Sequence, residues 1–173
     1  MGLALLPDGK RLLISMVGAG ETPHSAFQDI ESSAVSPVGS AGRYVPSFAV
    51  RLSPGPSPDG KYCVLTNDKN HYWLQPLDGG DAREIKSVNP GDLMVEWHED
   101  SNNLFVSRFL GADVESYNLN LTTGERKLWT RFSPSDKTAI AGNTWVLITP
   151  DGANYAYQVQ RIYSILFLAD GLR

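Results

Sequence analysis

PSPDGKYCVLT, residues 56–66, decides how this chain folds. Pro58 presets φ, the Asp59 side chain hydrogen-bonds within its own turn, and Gly60 tolerates positive φ, so the tripeptide is a tight turn. The run YCVLT behind it is short and β-favouring. The same unit recurs as LLPDGKRLLIS at 5–15, EWHEDSNNLFVS at 96–107 and ITPDGANYAYQ at 148–158. Its aspartates, Asp8, Asp59, Asp100 and Asp151, stand 51, 41 and 51 residues apart. A period of about 40–50 residues belongs either to four-stranded propeller blades or to helical HEAT-type arrays.

Apolar residues keep no helical spacing over a dozen positions anywhere in the chain, so the array is β. A second turn follows each first one: Glu31-Ser32-Ser33, Asp78-Gly79-Gly80, Thr122-Thr123-Gly124 and Asp170-Gly171. The runs between the turns (HSAFQDI, HYWLQPL, VESYNLNL, YSILFLA) read as strands, and AREIKSV and RKLWTRF read as outer strands. Each unit is therefore an antiparallel meander, the blade of a propeller. The chain is expected to be an all-β partial propeller of about four blades, at roughly 3–36, 45–87, 92–132 and 143–173. FAVRL and TWVLI serve as inner strands of the second and fourth blades, while the first blade has little room for one.

The turn residues Asp8, Gly9, Asp59, Gly60, Asp100, Asp151 and Gly152 are read as structural, each carboxylate accepting N–H groups of its own turn. The third copy keeps Asp100 but lacks both Pro and Gly. No catalytic, cofactor-binding or metal-binding residue is assigned, and no cofactor is expected. His24, His71 and His98 occur in no HxxxH, HxH or HExxH spacing. Trp97-His98-Glu99-Asp100 lies in phase with the other turns and reads as one of them. Gly18-Ala19-Gly20 lacks the third glycine and the helix of a dinucleotide loop, and Gly39-Ser40-Ala41-Gly42 is not a nucleophile elbow. The recurring aspartates lack the series of a calcium loop. Cys63 reads as a small buried strand residue. Asn120-Leu121-Thr122 fits a glycosylation sequon and is expected to be unmodified.

The 173 residues carry 15 Lys+Arg against 19 Asp+Glu, a net charge of −4. With the basic residues scattered, nucleic acid is not an expected partner. The longest apolar run near the end, IYSILFL, is only strand-length, so no membrane insertion is expected.

The repeats resemble the WD40-like PD40 repeats of TolB-type β-propellers. Residues 95–173 are similar to the C-terminal end of propellers behind bacterial receptor-type serine/threonine kinases, through Trp97, Asp100, Tyr117-Asn118-Leu119, Thr123-Gly124, Leu128-Trp129, Thr149-Pro150-Asp151-Gly152, Tyr155-Ala156-Tyr157 and the terminal Leu168-Ala169-Asp170-Gly171-Leu172-Arg173. The resemblance implies a non-catalytic sensing or docking module, outside the cytoplasm, at the C-terminal end of a larger protein, with an unknown protein or small ligand as partner. No Gly-rich phosphate loop, His-Arg-Asp or Asp-Phe-Gly of a kinase is present. Contact regions are expected at 34–48, 108–114 and 133–143. The alternative is a propeller-borne or propeller-associated hydrolase, lactonase-like or accessory to a peptidase. It requires three or more of His24, His71, His98, Asp113 and Glu115 to converge within about 5 Å. Neither end reads as a complete blade, so an open arc or strained ring is expected, self-associating through its blade edges.

Overall fold

A computed structural model describes residues 2–39, 42–44 and 54–166. Thirteen strands are assigned among them, with no helix. The first sheet is β1 (Gly2–Leu5), β2 (Arg11–Met16), β3 (His24–Asp29) and β4 (Val35–Val38), paired in that order and antiparallel. The second holds β5 (Tyr62–Thr66), β6 (Tyr72–Pro76) and the two-residue β7 (Arg83–Glu84). The third runs β8 (Asp92–Trp97), β9 (Asn103–Leu110), β10 (Asp113–Asn120) and β11 (Arg126–Phe132). The fourth pairs β12 (Ile140–Ile148) with β13 (Tyr155–Arg161). Four antiparallel meanders in chain order make a partial β-propeller.

The blades pack face to face through three buried clusters among the described residues. Leu13 and Val38 of the first blade meet Cys63 and Leu65 of the second. Val64, Tyr72 and Leu74 of the second meet Met94, Trp97, Leu104, Val106 and Leu119 of the third. Val95, Phe105, Val114 and Phe132 of the third meet Val146 and Ile148 of the fourth. Strand alternation sends Val64 one way and Cys63 and Leu65 the other, so each middle blade feeds two cores. Burial pushes the Cys63 thiol up to about 12, which leaves it an inert core residue.

Several expectations need correction. The first blade does have an inner strand: β1 pairs with β2 from Gly2↔Ser15 to Leu5↔Leu12. Of AREIKSV, Arg83 and Glu84 form β7 and the Ile85 N–H adds a bond to the Tyr72 carbonyl at 2.9 Å, before Ser87 turns left-handed (φ 64°) and Pro90 has no N–H to give. The described part of YSILFLA, 163–166, forms no strand. Ile162 N–H still reaches the Ala139 carbonyl at 3.0 Å, but β12 begins only at Ile140, so no strand lies beside the rest. TWVLI lies in β12 as expected. FAVRL (48–52) and Asp170-Gly171 fall outside the described residues.

Candidate functional site

The repeated turns fix which end of the arc is built and which is free. Asp8 Oδ1 accepts the N–H groups of Lys10 (2.9 Å) and Arg11 (3.1 Å), and its other oxygen takes the Arg11 Nε–H at 2.8 Å. Asp59 accepts the Ser57 hydroxyl (2.6 Å) and Lys61 N–H (3.1 Å). Asp100 accepts the N–H groups of Asn102 (2.8 Å) and Asn103 (2.9 Å). Asp151 accepts the Thr149 hydroxyl and Ala153 N–H (2.9 Å). Gly9, Gly60 and Gly152 stand at φ of 67°, 70° and 68°. In the third copy Ser101 takes the same conformation at 57° and recovers part of the strain, because its hydroxyl accepts the Asp59 N–H at 3.0 Å.

Successive turns also touch. Ser101 ties the third to the second, and Glu99 N–H bonds the Pro150 carbonyl at 2.9 Å to tie it to the fourth. A Cβ on Gly152 would sit 3.2 Å from Phe105 Cζ, so that turn is seated on the third blade's aromatic core. Each aspartate thus accepts hydrogen bonds within its own turn, and the second, third and fourth turns touch one another in a row.

Hydrogen bonding holds these carboxyls below the usual aspartate range: the Lys10 N–H at Asp8 and the Thr149 hydroxyl at Asp151 act first. At Asp59 and Asp100 burial opposes the shift, and the Ser57 hydroxyl and the Asn102 N–H respectively overcome it. A depressed folded-state pKa stabilises the fold above the unfolded value of about 3.9 and ceases to do so as pH drops through the lower folded values. The urea midpoint is therefore expected to stay level from about pH 7 to 5 and to fall below about pH 4. A midpoint that rises on acidification would contradict this assignment.

The opposite end carries the loops, and the third blade presents a band of charge there. Cross-strand pairing aligns Asp92, Arg108, Glu115 and Arg131 across β8, β9, β10 and β11. Asp92 has a fully buried carboxylate that receives Arg108 at 2.9 Å and is also bound by Arg126. With its amide oxygen turned inward, Asn89 accepts from both guanidiniums at 3.0 Å. Arg126 lies 3.8 Å over the Tyr117 ring, and the Tyr72 hydroxyl donates to the Asp92 carbonyl at 3.2 Å. Burial, first of all, raises Tyr72 to about 12.

Beside this network the expected contact regions 108–114 and 133–143 do come together. Asp113 accepts the Ser133 hydroxyl at 2.8 Å and pairs with Lys137 at 2.8 Å. Arg161 pairs with Asp136 at 2.9 Å and donates to the Thr138 carbonyl at 2.7 Å, pinning the same loop to β13. In the third region, 34–48, residues 35–38 form β4, and Tyr44 bridges to Thr66. Residues 40–41 and 45–48 lie outside the description.

The hydrolase candidates each meet partners of their own. His24 Nδ1 lies 3.3 Å from the Thr22 carbonyl, His71 is 4.0 Å from Glu84, and His98 is 3.3 Å from Asp100. Glu115 is held by Tyr117 and Arg131, which together draw its carboxyl down, as Lys137 and Ser133 do for Asp113. Carboxyls shifted this way are ionised and weakly basic, the wrong direction for a general acid. Glu96 moves the other way through burial, but the hydrogen bond recorded for its carboxylate comes from its neighbour's backbone, the Trp97 N–H at 2.9 Å. Among the described residues no three His, Cys, Asp or Glu side chains form a metal-holding group. Asp92, Arg108 and Arg126 were not singled out by the sequence; the one signal they offer is charge inside otherwise apolar strand runs.

Superposition on solved structures settles the fold. TolB from Acinetobacter baumannii matches with a TM-score of 0.60 at 15% identity, over 91% of this chain and 42% of that one. The chain has a TolB-type propeller fold. A TolB-like protein from Agrobacterium tumefaciens matches with a TM-score of 0.61 at 18% identity, over 95% of this chain and 61% of that one. An auxiliary nutrient binding protein from Bacteroides thetaiotaomicron matches with a TM-score of 0.55 at 18% identity, over 91% and 35%. This TolB-type chain thus spans between about a third and three fifths of each. No protein-family model matches the sequence, and no curated protein matches it significantly. Among the described residues no helix is long and apolar enough to cross a membrane.

Proposed function

We propose that this chain is a non-catalytic interaction module, the propeller part of a larger bacterial protein that docks a protein or senses a small ligand. The observation that carries this reading is the outward face of the first blade. Pairing puts Leu3 opposite Ile14 and Leu5 opposite Leu12, on the side away from the second blade, and Val35 joins them across Gln28. Leu3, Leu5 and Val35 are 66%, 57% and 55% exposed. An apolar sheet face of this kind calls for cover, and the physical match is another blade face, since that is what covers every inner face of the arc. The occupant is a further blade, from the same polypeptide or from a second copy.

The similarity of residues 95–173 to kinase-linked propellers supports a receptor-type kinase as the parent. Reading the coding DNA upstream of Met1 tests that context: an in-frame run of further blades and a kinase domain is expected, and a promoter with a ribosome site directly before Met1 would remove it.

For the isolated 173-residue chain, sedimentation at several concentrations is expected to show mass rising with concentration. Leu5→Lys, a change at an exposed site, is expected to return it toward the monomer with an unchanged β circular-dichroism spectrum. A wild-type chain that stays monomeric at every concentration and unfolds in one cooperative step would sink the reading.

A further inference from the structure

Five Asp-Gly bonds occur in the chain, and four of them, at 8–9, 59–60, 78–79 and 151–152, lie among the described residues. Such a bond has a chemistry of its own. Attack of the glycine nitrogen on the aspartate Cγ closes a five-membered ring, and glycine, having no Cβ, leaves that nitrogen unshielded. The attack needs a neutral carboxyl free to turn and an N–H free to give up its proton.

Three of the four bonds are denied both. Asp8, Asp59 and Asp151 each accept the N–H two residues on, at 2.9, 3.1 and 2.9 Å, which pins the carboxyl. Their carboxyls lie below the usual aspartate range, which makes the neutral acid scarcer still. The N–H groups of Gly9, Gly60 and Gly152 are spent on the carbonyls of Leu6 (2.9 Å), Ser57 (2.8 Å) and Thr149 (2.8 Å).

Asp78-Gly79 differs on both counts. It lies in the exposed hairpin between β6 and β7, and among the described residues neither the Asp78 carboxylate nor the Gly79 N–H has a hydrogen bond or ion pair. Gly79 stands at φ 105°, with nothing within 4 Å of where a Cβ would sit. The flanks, by contrast, are held. Leu77 N–H bonds the Lys61 carbonyl at 2.8 Å, and Gln75 Nε2 donates to the Pro76 and Gly80 carbonyls at 3.0 and 3.1 Å. Two unbonded residues therefore project between fixed ends. An open carboxylate is not enough by itself: Asp81 is also exposed, but Ala82 follows it and sets a Cβ beside the nitrogen.

We propose that Asp78-Gly79 is a site of spontaneous isoaspartate formation, a covalent modification at the tip of the second blade's outer hairpin. The Gly79 nitrogen bonds to Asp78 Cγ, the Cγ–OH bond breaks, and the hydroxyl leaves as water with the proton from nitrogen. Solvent water then opens the succinimide. Attack at Cγ restores aspartate. Attack at the Asp78 backbone carbonyl breaks its bond to nitrogen, so that the main chain runs through Cβ and Cγ and a free α-carboxylate remains. The mass is unchanged, and the main chain is one carbon longer between the two carbonyls that Gln75 ties together. The site does not depend on what covers the first blade's outer face.

The test is prolonged incubation of the folded 173-residue chain at neutral pH, with peptide mapping by electron-transfer mass spectrometry, which tells isoaspartyl from aspartyl bonds at each position. Isoaspartate is expected at 78 at least about fivefold faster than at 8, 59 or 151, because those turns must first break two hydrogen bonds. In guanidinium chloride no turn is held and glycine follows all four aspartates, so the four rates are expected to agree within about twofold. A rate at 78 no higher than at the other three in the folded chain would overturn the proposal. So would the same excess at 78 in guanidinium chloride, since the sequence and not the fold would then set it.

Discussion

Trp97→Ala is expected to unfold the chain or to lower its stability by about 3–5 kcal/mol, the cost of emptying a buried aromatic site. Trp97 is 1% exposed and sits where the second and third blades meet, against Val64, Leu74, Met94 and Leu104. Its indole N–H also donates to the Gly55 carbonyl at 2.8 Å, a contact worth about 0.5–1.5 kcal/mol net that links the third blade to the segment leading into the second. Since domains carry only about 5–15 kcal/mol in total, the loss takes a large part of what holds the arc together. Trp97→Phe, which keeps most of the volume and loses the donor, is expected to cost about 1–2 kcal/mol. Urea denaturation followed by circular dichroism checks both, and a loss below about 1 kcal/mol for Trp97→Ala would show that the two blades do not share this core.

Asp92→Ala is expected to cost about 3–5 kcal/mol, for a different reason. The carboxylate is fully buried, while the guanidiniums of Arg108 and Arg126 that converge on it are 28% and 13% exposed. Removing the acid leaves two cations partly desolvated, with Asn89 as their neutral neighbour. Arg126→Met, which removes one cation and keeps an apolar stem over Tyr117, is expected to cost less than Asp92→Ala. In a double-mutant cycle the two positions should couple by more than about 1 kcal/mol. Additive losses would mean that Asp92 and Arg126 do not act as a unit.

Much of the fold was legible because the repeat repeats its own physics. Each aspartate turn fixes a hairpin locally, and each short β run behind it alternates sides, so four copies in phase imply four meanders whatever packs beside them. The failures are equally physical. LAL at residues 3–5 is too short to show a period, and only pairing with Leu12 to Ile14 makes it a strand. IYSIL looks strand-like by composition, yet 162–166 have no ladder to join. AREIKSV contains the right residues, but pairing goes no further than the Ile85 N–H, and Ser87 turns left-handed.

The charged groups were the least legible. Arg108 and Arg126 lie 16 and 34 residues from Asp92, and nothing local announces that all three share the interface between two blades. Gln75 is an ordinary polar residue at the end of a strand; that its amide donates to the Pro76 and Gly80 carbonyls and closes the turn shows only in the structure, where Pro76 stands at the place of the third blade's Asn120.

Three cores join four blades into an open arc, with Leu3, Leu5 and Val35 exposed on the first blade's far face. Methyl NMR of the dilute monomer with a soluble paramagnetic agent measures this directly. The methyls of Leu3, Leu5 and Val35 are expected to relax strongly, while those of Leu13, Val64, Leu104 and Val146, which lie inside the three cores, stay protected. Protection of Leu3, Leu5 and Val35 in the monomer would mean that the chain closes on itself, and would contradict both the open arc and the docking role built on it.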